Sequence, residues 1–153
     1  MTNAGHEMQM QHRLIDALYD EAMQLAEDAR AYFDEGGRAE RDALDPACRV
    51  RFSCESLKVT TRLMHVIAWF LTQRAVQAGE LRSRDALDPS RRLGDASSTE
   101  QDVLDALPVR ARRLIESSID LHRRVALMDM AQDAPATVAS PARSMQHRLA
   151  TSF

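Results

Sequence analysis

Residues 45–79 read DPACRVRFSCESLKVTTRLMHVIAWFLTQRAVQAG, with proline and glycine confined to the two ends. Asp45 can accept hydrogen bonds from exposed amides of a first helical turn, and Pro46 suits the first helical position because its missing N–H has no partner to lose there. Gly79 supplies a stop. The stretch therefore predicts one helix over 46–78, about 50 Å long. Leu57, Thr61, Met64, Ala68, Leu71, Ala75 and Ala78 make one stripe at helical spacing, and Val59, Leu63, Val66, Ile67 and Phe70 a second beside it. An apolar arc this broad predicts a central helix that touches more than one neighbour, with the Leu57-to-Ala78 stripe as its packing seam. Arg62, His65, Trp69 and Gln73 fall on the side away from that seam. An indole is costly to leave in water, so Trp69 either packs against the first helix or the tail, or anchors a partner or a second copy. These four residues are the candidate partner or dimer surface.

Two further helices flank this one. Ile15, Leu18, Ala22, Leu25, Ala29 and Tyr32 recur at alternating three and four and predict a helix over about 12–33, ended by Gly36-Gly37 in the manner of a left-handed cap. Leu107, Ala111, Leu114, Ser118, Leu121, Val125 and Met128 predict another over about 108–130. Large residues tend to alternate with small ones in all three, which lets facing layers interdigitate. The expectation is an all-α, antiparallel three-helix bundle with a long central helix, one domain over 1–131, and a disordered tail over 132–153 that is rich in Ala, Ser, Thr and Pro. The stretch 80–106 is polar and long for a connection, and loops of that length are usually functional or disordered. Arg-Asp-Ala-Leu-Asp-Pro occurs at 41–46 and again at 84–89, each time ending in an Asp-Pro helix start, which is best read as reused capping chemistry.

Composition narrows the function classes. A formal charge of −3 gives no general attraction to nucleic acid or anionic lipid. The longest apolar run, Leu63 to Leu71, contains His65 and is far short of a membrane span, and residues 1–10 lack the apolar core of a signal peptide, so a cytoplasmic location is expected. Cys48 and Cys54 match no common metal or redox spacing and read as reduced thiols. His6, His12, His65, His122 and His147 form no metal-ligand pattern, and there is no glycine-rich phosphate loop. No cofactor, metal or catalytic residue is predicted. An enzyme would need scattered groups such as Glu55, His65 and His122 to converge. A nucleic-acid-binding or transcriptional regulator is the alternative raised by Arg110, Arg112, Arg113, Arg123 and Arg124 in the third helix. Glu116, Asp120 and Asp129 are interspersed there, so a solvated face accounts for them better.

The central helix also carries a resemblance. Glu55-Ser56-Leu57-Lys58-Val59-Thr60-Thr61-Arg62-Leu63-Met64, with Ala68-Trp69-Phe70-Leu71, Arg74-Ala75-Val76 and Gly79-Glu80, resembles the alphaproteobacterial RcdA family, regulators of CtrA degradation. Tyr32 to Glu40 with its paired glycines, and Leu107-Pro108 through Leu114-Ile115-Glu116-Ser117-Ser118 to Leu121, are similar as well. The resemblance implies a dimeric three-helix bundle without enzymatic activity, an adaptor for the ClpXP protease in cell-cycle proteolysis. Its implied partners are ClpXP, the substrate CtrA, the response regulator CpdR and the cyclic-di-GMP effector PopA. A homodimer is expected independently, because the apolar arc of the central helix exceeds what two neighbours need.

Overall fold

In the computed structural model, which describes residues 3–133, three long helices pack together and every regular element is helical. α1 spans Asn3–Ala31 and runs into a π-helical turn, Tyr32–Gly36; a short α2, Arg38–Asp42, leads to α3, Pro46–Gln77. Two 3-10 turns, Asp85–Leu87 and Pro89–Arg91, and the short α4, Gln101–Asp105, precede α5, Val109–Ala131. The tail expected over 132–153 lies, beyond Asp133, outside the described residues.

Local chemistry accounts for the ends of α3. The Asp45 carboxylate accepts a hydrogen bond from the Cys48 amide at 2.8 Å, with Pro46 in the first turn. Gly79 ends the helix region at φ +75°, a backbone conformation that costs a side-chain-bearing residue about 1–2 kcal/mol. The end of α1 differs from the expected glycine cap. Gly37 has φ −94° and donates to the Tyr32 carbonyl across the π-helical turn. Glycine is required there for space: a Cβ on Gly37 would sit 2.8 Å from the Tyr32 ring.

Contacts along the helices fix their directions. Phe33 meets Phe52 at the start of α3, while Asp16, earlier in α1, faces Arg74 near its end, so α1 and α3 are antiparallel. Arg110 at the start of α5 stacks on Tyr32, and Arg124 pairs with Glu21, so α1 and α5 are antiparallel too. Arg62 reaches Ser118 and Trp69 reaches Asp129, so α3 and α5 run the same way. Parallel neighbours need a connection that returns along their full length, as parallel strands do. That is why the stretch between them is long. Residues 92–100 climb the groove between α3 and α5 as an extended strap: Arg92 lies by Asp129, Gly94 by His122, Asp95 by His65, Ser97 by Arg62 and Thr99 by Glu55.

The core is one cluster. Ile15, Leu18, Ala22 and Ala29 of α1 and Ala111, Ser118, Leu121 and Val125 of α5 are buried along the seams that their spacing predicts, with Ile115 buried beside the second. On α3 the buried set is Phe52, Val59, Leu63, Val66, Trp69 and Phe70. The stripe expected to be its seam points the other way: Leu57 is 69%, Met64 64% and Leu71 50% exposed. Turning the aromatic and β-branched face inward buries larger side chains than the Leu57-to-Ala78 stripe, with its Thr and Ala positions, could offer.

Candidate functional site

The rotation of α3 moves the candidate surface. Arg62 is 1%, Trp69 3% and Gln73 9% exposed, and His65 is half-buried, so these four residues do not form an outward face. Arg62, His65 and Trp69 line the side of α3 that meets α5 and the strap, while Gln73 lies beside α1 and the first 3-10 turn. The Arg62 guanidinium donates to the Ser97 carbonyl at 2.7 Å, to Thr99 Oγ1 at 2.9 Å and to Ser118 Oγ at 3.3 Å. Thr99 donates in turn to the buried Glu55 carboxylate, which also accepts from Lys58 at 2.8 Å, while Lys58 reaches the Ser98 carbonyl. Desolvation lowers the Arg62 pKa from its usual value, opposed by the nearby Glu55 charge. A buried guanidinium is tolerable here because its donors are spent on the strap and on Ser118.

The two histidines do related work. His65 Nδ1 lies 3.0 Å from the Asp95 carbonyl and His122 Nε2 2.8 Å from the Gly94 carbonyl. Each imidazole must carry its proton on that nitrogen, since a carbonyl can only accept. A Cβ on Gly94 would lie 2.6 Å from the His65 ring, so the ring rests directly on the strap backbone. Trp69 Nε1 donates to Asp129 at 2.9 Å, and Arg92 binds Asp129 and Asp133, locking the lower end of the strap to the end of α5. The hydrogen bonds to Asp133 and then Asp129 raise the Arg92 pKa. Glu55, His65 and His122 thus share a region, yet each is engaged with the strap or with Lys58. Among the described residues no group of acidic, histidine and cysteine side chains could hold a metal ion. The cysteines are free thiols, Cys54 exposed and Cys48 half-buried.

What the chain leaves open is the reverse side of α3. Val50, Leu57, Met64 and Leu71 recur every seven residues, and all four are at least half exposed. Such spacing keeps a side chain facing a neighbouring helix turn after turn. Beside the stripe, α1 and α3 enclose a groove of about 340 Å³, in which Ala26, Phe33, Leu63, Met64 and Ile67 supply apolar walls. Single exposed apolar residues are ordinary, whereas a continuous row with an adjoining apolar groove marks a contact surface. Periodicity had located the stripe; it could not tell that the stripe faces out. The available signal was size, since Phe52, Trp69 and Phe70 all lie on the opposite side.

Two of the basic residues of α5 are matched by acidic neighbours. Arg123 pairs with Asp120, and Arg124 with Asp120 and Glu21. No helix among the described residues is long and apolar enough to cross a membrane.

Comparison with known proteins agrees with this architecture. The family model described as a protein of unknown function (DUF1465) matches residues 6–153. The crystal structure of RcdA from Caulobacter crescentus CB15 is similar, with 34% sequence identity and a TM-score of 0.64, over 78% of this chain and 90% of that one. No curated protein matches.

Proposed function

The chain belongs to the family described as protein of unknown function (DUF1465) and is RcdA-like, and from that premise we propose that it is a non-enzymatic, cytoplasmic adaptor in regulated proteolysis. Its task is to assist ClpXP in degrading CtrA and related substrates, in concert with CpdR and PopA. The observation that carries this reading is the heptad stripe Val50, Leu57, Met64 and Leu71, held outward on a rigid helix. Burying a side chain of this kind contributes about 1.5–3 kcal/mol, so one such row can hold a partner without any chemistry. An adaptor needs no more: modest contacts to a protease and to a substrate raise their effective concentration for each other.

The same stripe supports a homodimer. A second copy related by a twofold axis presents an identical row, and self-complementary apolar faces are the common basis of such dimers. The inward polar residues support the reading in a different way, because Arg62, Glu55, His65 and His122 are engaged in holding the strap. Reconstituted proteolysis tests the proposal. With ClpXP, CtrA, CpdR and PopA present, adding this protein shortens the CtrA half-life, and the Leu57→Glu, Met64→Glu double variant does not. A protein that neither binds the ClpX-containing machinery nor alters the half-life of any client overturns the reading.

A further inference from the structure

At the end of the bundle where α3 and α5 stop, a second groove of about 600 Å³ opens between α1, α3 and the first 3-10 turn. That is within the range of about 300–1,000 Å³ usual for ligand sites. Ile15, Val76 and Leu87 supply apolar walls, and the amides of Gln73 and Gln132 line it as well. Gln73 is nine-tenths buried, yet its Nε2 has no hydrogen-bond partner among the described residues, and neither has the buried Gln132 Oε1. Buried polar groups are nearly always paired. One of these atoms donates and the other accepts, so they are complementary, but they do not meet. A bridging water takes up about 30 Å³ and leaves most of the groove to a larger occupant.

The same groove has a cationic wall. Arg84, exposed at the start of the 3-10 turn, lines it, and the neighbouring Asp85 is bound to Arg82 instead. No aspartate or glutamate lines the groove, and Asp133, next to Gln132, is held by Arg92. A fitting occupant thus offers an acceptor to Gln73, a donor to Gln132, apolar surface, and a negative charge. The carboxy-terminal end of a peptide has all four. Its last peptide group supplies carbonyl and N–H, its terminal carboxylate suits Arg84, and an apolar last side chain suits Ile15, Val76 and Leu87. Inorganic phosphate brings charge without apolar surface, and a simple fatty acid lacks the donor.

We propose that this groove captures the carboxy terminus of another protein whose last residue is apolar. Gln73 and Gln132 bind the final peptide group and Arg84 the carboxylate. Capture of a terminal carboxylate is a recurring mode of peptide recognition. The site uses none of the residues of the exposed α3 stripe, so it holds or fails independently of the adaptor reading.

Fluorescence anisotropy with the full chain tests it, in the absence of any protease. The probe is a fluorescein-labelled, alanine-rich hexapeptide ending in leucine with a free carboxylate. Saturable binding is expected, weakened about two- to fivefold when the peptide is amidated, as loss of an exposed ion pair would do. Arg84→Gln should weaken the free peptide equally and bind both forms alike. Gln73→Leu should weaken binding about tenfold, the worth of one buried hydrogen bond. Its melting temperature should hold or rise, because the change removes an unpartnered buried donor at nearly constant volume. Arg84 is exposed, so its variant tests the site without disturbing the core. The proposal is overturned by absence of saturable binding up to about 1 mM peptide. Equal binding of the amidated peptide to the unsubstituted protein, or affinity indifferent to Arg84→Gln or to Gln73→Leu, overturns it too. So does N-acetylleucine competing as well as the unlabelled hexapeptide, which assigns the groove to a small molecule.

Discussion

Arg62 shows how one side chain can bind two parts of a chain that are distant in sequence. Its guanidinium meets Ser97, Thr99 and Ser118, tying α3 to the strap and to α5. Arg62→Met is expected to destabilise the protein by about 1.5–3 kcal/mol, the range for hydrogen bonds made by a charged group, read from the urea midpoint. Gly94 is a narrower case. In Gly94→Ala the added carbon meets the His65 ring, so the ring must move and its bond to the Asp95 carbonyl is lost. Amides of residues 94–99 should then exchange faster, with little change in global unfolding. Tyr32 illustrates a titrating core group. Burial, followed by its 2.5 Å hydrogen bond to Glu40, raises its hydroxyl pKa far above the ordinary value of about 10. A raised pKa contributes stability fully below the unfolded value and loses it as pH climbs toward the folded one. Alkaline unfolding above about pH 10 is therefore expected to ease in Tyr32→Phe, which has no proton to lose.

Each helix solves a different packing problem. α1 and α5 carry one apolar seam apiece, facing inward. α3 carries two, and the tertiary structure uses only one of them. The exposed row Val50, Leu57, Met64 and Leu71 contributes little to the isolated chain, so Leu57→Glu with Met64→Glu should shift its unfolding by no more than about 0.5 kcal/mol, as surface substitutions do. In light scattering at micromolar concentration the unsubstituted protein should be a dimer and the double variant a monomer. A monomeric wild-type protein counts against the stripe as a self-association surface. The strap behaves as an element despite its irregular backbone. Its carbonyls are taken up by Arg62, Lys58, His65 and His122, which meets the requirement that a buried backbone find partners.

Charge acts on the molecule as a distributed set of small terms. Arg92 holds the Asp133 carboxyl below its ordinary range, Arg123 does the same for Asp120, and Arg30 for Glu27. Hydrogen bonds from Ser90 lower Asp88, and the Cys48 amide lowers Asp45. A carboxylate with a depressed folded pKa contributes stability above the unfolded value, near 4, and loses it as pH falls through the folded value. The melting temperature is therefore expected to be level from about pH 5 to 8 and to decline below about pH 4. The pairs at Asp120 and Glu27 are exposed, so their share should shrink in high salt.

Periodicity and end signals were enough for three long helices. The spacing of Ile15, Leu18, Ala22 and Ala29, the Asp45-Pro46 start and the Gly79 stop are local facts, and each acts within a few residues of itself. Resemblance in the central helix pointed to the RcdA-like family before any fold was in view. Two things lay beyond local pattern. One is which apolar stripe of α3 faces inward, and with it the burial of Arg62, Trp69 and Gln73 and the contacts of Arg62 and His65 with the strap. The other is the parallel course of α3 and α5 with the strap between them. Both depend on partners distant in sequence: Arg62 is a tolerable inward residue only because Ser97, Thr99 and Ser118 arrive to accept its hydrogen bonds. A helix carries its own hydrogen bonds in its sequence neighbours, whereas the facing of a two-striped helix is settled by what the remainder of the chain can bury and pair against it.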